Sequence, residues 1–286
     1  MGVKIQWIDP NIDPLDTVEI WRSPTKAGAP VKIGSVAGDV REYQDDTAER
    51  NKVSWYTLTS VRGQGKAIST PFPVGNYPDT GPGPKTIMRG TWEFGVFGEV
   101  DANLLPGFSE IQEKVGIAPN NSVVRFYKWI VNGRIIFIPW GPYSSAFGTT
   151  ITAAGIMVPQ GKTNEAGLVI DREGYGYNIR PPYATNNFTS ELTTIADGGD
   201  ETLKLSELAA IMTSLVGMDT KLMYGDMKWG DISPAAAGGN YYLTNTYINA
   251  NNSTLVANIA ASPALVRSGS TSSARGLWPV YELLLT

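Results

Sequence analysis

The chain has 286 residues, 42% hydrophobic and only 17% charged, with a net charge of −4. That is long enough for two domains. It gives no basic face of the kind nucleic acid calls for. There is no Cys and no His, which excludes disulfides, thiolate chemistry, serine triads, Cys–His dyads and His-based zinc sites.

Gly 31 and Pro 19, with abundant Asn, Thr and Ser, indicate a turn-rich β protein. No apolar run reaches the length of about 20 residues that a membrane helix needs. The opening "MGVKIQWIDP" has no signal-peptide core. The expectation is a protein made in a cytoplasm that leaves it, if at all, by another route such as cell lysis.

Residues 1–75 read as short strands between turn signals: "VKIQWI", "TVEIWRS", "PVKIGSVAG", "REYQDDT", "VSWYTLTSV" and "KAISTPF". Strict alternation from Val53 to Val61 and the "RGQG" tip give the pattern of a small β-sandwich. Trp7, Trp21 and Trp55 are expected in its core. Residues 76–85 lie in "GNYPDTGPGPK", whose prolines and glycines cannot continue a ladder and favour a semi-extended linker. Residues 86–286 then form a β-rich α+β domain.

Within it, "TIMRGTWEFGVFGEV" reads as a strand pair. "GFSEIQEKVG" reads as a short helix, with Ser109 and Gln112 in capping-box spacing and Gly116 as its stop. Asn132-Gly133 predicts a type I′ hairpin in "VVRFYKWIVNGRIIFIPWGP". Trp129 then faces Ile136, Tyr127 faces Ile138, Val131 faces Arg134 and Arg125 faces Trp140. Lys128 is the one polar side chain inside the opposite face. Both faces are apolar, so both need cover, from the domain, a neighbouring subunit or a ligand. A second helix is predicted in "LSELAAIMTSLVG", on the stripe Leu205, Leu208, Ala209, Met212, Leu215 and Val216, ending at Gly217. The apolar "RGLWPVYELLLT" predicts a closing strand inside a sheet, since at an edge it would aggregate.

Several motifs fail on inspection. "GIMVPQGKT" puts five residues between its glycines, including Pro159, where a P-loop has four. "DPNIDPLD" has Pro14 where a calcium loop needs Gly and Ile20 where it needs a bidentate Glu. N-x-S/T triplets begin at Asn120, Asn187, Asn251 and Asn252, without a secretory signal to give them meaning. Glycosidase chemistry needs only two acids, but no pair stands out. The sequence points to no enzyme, cofactor or metal.

Two resemblances add to this. Residues 53–69 are similar to the closing "xYxLxSVxxxGxxS" of fibronectin type III domains, which implies an immunoglobulin-like sandwich with Tyr56 as its tyrosine corner. Residues 86–286 resemble a module of tailed-bacteriophage virion proteins. The blocks, in order, are "GFSEIQEKVGI", the hairpin, "ITAAGIMVPQ", "YNIRPP", "LMYGDMKWGDIS" and "RGLWPVYELLLT". The family's "KKP" after the hairpin is Trp140-Gly141-Pro142 here, and its "WRPVLEL" lacks the Arg. The closing "W-P-V-x-E-L" also looks like the end of C-type-lectin-like and formylglycine-generating-enzyme-like folds.

The resemblance implies a structural component of a virion: capsid decoration, tail or fibre base. Its partners would be other virion proteins and copies of itself. The alternative is a carbohydrate-binding receptor or adhesion module contacting host-surface glycan. In it Trp140, Tyr143, Trp229, Tyr241, Tyr242 and Tyr247 would stack on sugars or meet a partner.

Overall fold

The computed structural model describes residues 2–9, 13–119, 125–139, 143–147, 155–156, 167–183, 191–192, 207, 241–248, 253–258, 266–270 and 274–285. The protein is mainly β. It divides into two compact units: Met1–Thr80 with Thr91–Glu93, and Gly81–Gly90 with Phe94–Thr286.

The first unit holds β1 (Val3–Gln6), β2 (Thr17–Ser23), β3 (Val31–Ala37), β4 (Glu42–Asp45), β5 (Lys52–Arg62), β6 (Gly65–Ile68) and β7 (Phe72–Asn76). β1 pairs with β4, and a second antiparallel sheet runs β3-β2-β5-β6 with β7 also on β5. Val3 and Ile5 of β1 meet Val18, Ile20, Tyr56 and Leu58 of the larger sheet in one core, as a β-sandwich requires.

The expected last strand is two pieces. Leu58 donates its N–H to Ser69 Oγ and accepts from Ser69 N–H, so the side chain of Ser69 replaces one ladder bond at the break.

Of the three tryptophans expected in the core, Trp55 is buried, 8% exposed, and Trp7 packs against the core, half-buried, while Trp21 departs from expectation. Trp21 pairs with Thr57 on the sheet face opposite Ile20–Leu58 and is only half-buried. Trp55 shares that outer face and lies under Lys26 Nζ, 5.4 Å from the ring centre. Tyr56 is the core filler, fully buried. Aromatic residues occupy both phases of the alternation, so composition alone did not fix which phase faces inward.

The second unit begins with β8 (Arg89–Gly90) and β9 (Phe94–Asp101), the expected strand pair. Helix α1 (Phe108–Val115) follows. Its stop at Gly116 is as expected, with φ 71°. Its start is not. Gly107 is the N-cap and makes no side-chain cap bond, and Ser109 falls inside the first turn. Starting the helix at Phe108 buries Phe108 and Ile111 together, and that burial outweighs a capping bond worth about 1 kcal/mol.

Then come β10 (Arg125–Val131), β11 (Arg134–Pro139), β12 (Ser144–Phe147), β13 (Leu168–Arg172), β14 (Tyr175–Arg180), β15 (Glu191–Leu192), β16 (Tyr241–Ile248), β17 (Ser253–Asn258), β18 (Val266–Ser270), β19 (Ala274–Leu277) and β20 (Val280–Leu284). One sheet runs β13-β14-β20-β11-β10-β9-β8, all antiparallel. The other runs β12-β19-β16-β17-β18 with β15 beside β16.

The hairpin has the predicted register, Trp129 opposite Ile136 and Lys128 opposite Phe137. Asn132 and Gly133 both take positive φ, 46° and 79°, which only such a turn asks of an Asn-Gly pair. Every residue from Phe126 to Val131 and from Ile135 to Pro139 is buried within the chain itself. The hairpin therefore supplies no argument for a neighbouring subunit.

The closing strand is interior, as expected: β20 lies between β14 and β11. Trp278-Pro279 is where the chain steps from one sheet to the other, since Pro279 has no N–H to continue a ladder. Trp278 is buried and its indole N–H donates to the Pro139 carbonyl at 2.9 Å. The predicted second helix lies outside the described residues except Glu207, which is helical.

Candidate functional site

Of the six predicted contact residues, Trp140 and Trp229 lie outside the described residues. Tyr241, Tyr242 and Tyr247 fall on β16, with Tyr242 opposite Ala257 and Tyr247 opposite Thr254; only their backbone is described. The structure does not bring these residues into a described site.

Tyr143 requires a correction. It is fully buried, its ring set edge-on to Phe108 at 4.8 Å. Its N–H donates to Leu277 O at 2.8 Å and its hydroxyl donates to Ile117 O in a short bond. Burial pushes its phenol up to about 12. A sugar-stacking ring must present a face to solvent; Tyr143 instead fastens the end of α1 to β19.

Among the described residues of the second unit, the most concentrated polar chemistry is a buried cluster on the Trp129 face of the sheet. The register Ile136–Glu282–Asn178 sets Glu282 on that face, and Arg180 two residues along on β14 shares it. Arg180 donates to Glu207 through Nη1 at 2.6 Å and Nη2 at 2.8 Å. It also donates to Glu282 through Nε at 3.2 Å and Nη2 at 2.5 Å. Arg134 reaches Glu282 at 3.2 Å. Glu207 accepts a further bond from the Tyr183 backbone N–H at 2.9 Å, and the Tyr183 ring lies 4.4 Å from the Arg180 guanidinium.

Burial alone would favour a neutral Arg180, but the charges of Glu207 and Glu282 outweigh it and hold the guanidinium cationic. Burial likewise pushes Glu282 up, and Arg180 and Arg134 more than reverse that, leaving its carboxyl below the usual range. Each charge is met by an opposite one, with planar bidentate geometry. Such a cluster holds elements together; its acids and bases are committed to one another. The sequence carried one faint signal of it, the lone Glu282 inside the apolar closing strand.

The opposite face carries Lys128, fully buried. Its ammonium donates to the carbonyls of Gly81 at 3.3 Å, Pro82 at 3.0 Å and Pro84 at 2.7 Å. It also lies over the rings of Phe97 and Phe137, at 4.9 and 5.9 Å, where cation–π attraction helps offset the loss of water.

In the first unit, the buried carboxylate of Asp45 accepts from Tyr56 Oη at 2.8 Å, Arg22 Nη1 at 2.8 Å, and Thr47 N and Oγ1 at 2.9 and 2.7 Å. Tyr56 thus closes a corner, onto a side chain instead of the backbone. A shallow open groove of about 310 Å³ lies among Asp13, Leu15, Ser60, Arg62, Gly65, Lys66 and Ala67. Its charges are already engaged, Arg62 with Asp13 and Lys66 with Glu19.

Among the described residues no group of three or more acidic side chains could hold a metal ion, and no helix is long and apolar enough to cross a membrane. Comparisons with protein-family models, with curated proteins and with solved structures gave no match.

Proposed function

We propose that the chain is a non-enzymatic structural component of a tailed-phage virion, serving as capsid decoration, tail or fibre-base protein and assembled with other virion proteins in the host cytoplasm. One observation carries the reading. The phage-like blocks lie far apart in sequence, yet three of them fall on adjacent strands of one sheet, in the order β14-β20-β11-β10. "YNIRPP" supplies Arg180 and "WPVYEL" supplies Glu282, and these two residues bond across the strands. Ile156, from the "ITAAGIMVPQ" block, is also fully buried. Blocks that converge on one core support a shared module more strongly than their order in the sequence does.

The β-sandwich of the first unit, read as immunoglobulin-like, fits the same reading, although fold alone does not give function. The proposal includes association with copies of the same chain, which sedimentation of the purified protein tests directly. Deleting the gene from a phage that carries it tests the role. Particles should then be incomplete or lack a surface feature seen by electron microscopy. Complete, fully infective particles would overturn the proposal. The glycan-contact reading loses Tyr143 and gains no other described residue.

A further inference from the structure

Pro82 and Pro84 have no N–H, so the segment Gly81–Lys85 offers carbonyls with few donors among them. Three of those carbonyls turn toward Lys128, whose ammonium has three N–H donors to give. The segment also fits closely on the sheet. A Cβ on Gly81 would lie 2.9 Å from Leu283 Cδ2 and 3.4 Å from Phe137 Cζ; one on Gly83 would lie 2.5 Å from Val100 Cγ2. Both glycines take positive φ, 75° and 79°, so shape and backbone alike demand glycine there. Lys85 closes the turn by donating to Gly81 O at 2.6 Å.

We infer that Gly81–Lys85 is a docked strap keyed by Lys128, a discrete latch over the apolar face formed by Val100, Phe137 and Leu283. The Pro/Gly stretch is therefore no free tether on this side. With the ammonium removed, the three carbonyls lose their common donor and the strap lifts, while the sheet beneath keeps its own ladder. A lifted strap uncovers an apolar surface, so the latch also controls how sticky this face of the second unit is.

The test uses the full chain, as wild type, Lys128→Met and Gly83→Ala, followed by amide hydrogen exchange and by trypsin cleavage after Lys85. Both variants should lose protection across residues 81–87 and be cut about tenfold faster after Lys85, while β8 keeps its pairing with β9. Exchange in β10 and β11 should stay at the wild-type level. Unchanged strap protection in Lys128→Met would show that the lysine is not the key. Should that variant not fold, Gly83→Ala decides alone. Loss of strap and hairpin protection together in Gly83→Ala would make the strap an inseparable part of the core, and the latch would be wrong.

Discussion

Arg180 and Glu207 form a two-point ion pair, at 2.6 and 2.8 Å, in which neither side chain is exposed to solvent. The pair ties a helical residue to the central sheet of the second unit. Glu207→Gln should remove the compensating charge from a buried guanidinium and destabilise the unit by about 3–5 kcal/mol. A denaturant melt measures this. Arg180→Lys should do comparable damage, because an ammonium cannot span Glu207 and Glu282 as a planar fork does.

The hairpin was legible because its information is local: an Asn-Gly turn between β-branched and aromatic runs specifies register by itself. The interior place of β20 was legible from the apolarity of "WPVYELLLT". The ion cluster was not. Its bonds join residues 27 and 102 positions apart, and nothing near Arg180 announces Glu282. The anchors of the Pro/Gly stretch were not legible for the same reason, since they lie elsewhere in the chain: Asn76 bonds Ala48 O, and the Gly81, Pro82 and Pro84 carbonyls bond Lys128. Tyr143 shows the limit for single residues. An aromatic residue after a strand reads alike whether it faces solvent or a helix.

Trp129 is fully buried, 5.2 Å from the Phe94 ring centre. Trp129→Ala should therefore cost about 3–5 kcal/mol, seen as a large fall in the melting temperature of the second unit. An unchanged melt would contradict the structural role of the hairpin.

Acid should weaken the first unit through Asp45. Burial pushes its carboxyl up, but hydrogen bonds from Thr47 and Tyr56 and the charge of Arg22 outweigh burial and hold it below the ordinary 3.8. A depressed folded value means the contribution is complete above the unfolded value and is lost as pH falls through the folded one. Stability should thus drop below about pH 4. Asp45→Asn should be less stable at neutral pH and show a flatter acid limb in a melt-versus-pH series.

Tyr143→Ala should destabilise the second unit by a few kcal/mol, about 3, because its ring packs on Phe108 and its hydroxyl satisfies Ile117 O. Binding on a glycan array should not depend on this residue in protein that remains folded. Loss of a glycan signal with an unaltered melt would restore the contact role that its burial removes.

Mass spectrometry of purified virions tests the central claim most directly. On the proposed reading, particles banded by density from a lysate of a phage carrying a gene for this chain should contain it in fixed proportion to the major capsid or tail proteins, through repeated purification. Its absence from such particles, with the chain recovered only in the soluble lysate, would contradict the structural-component account.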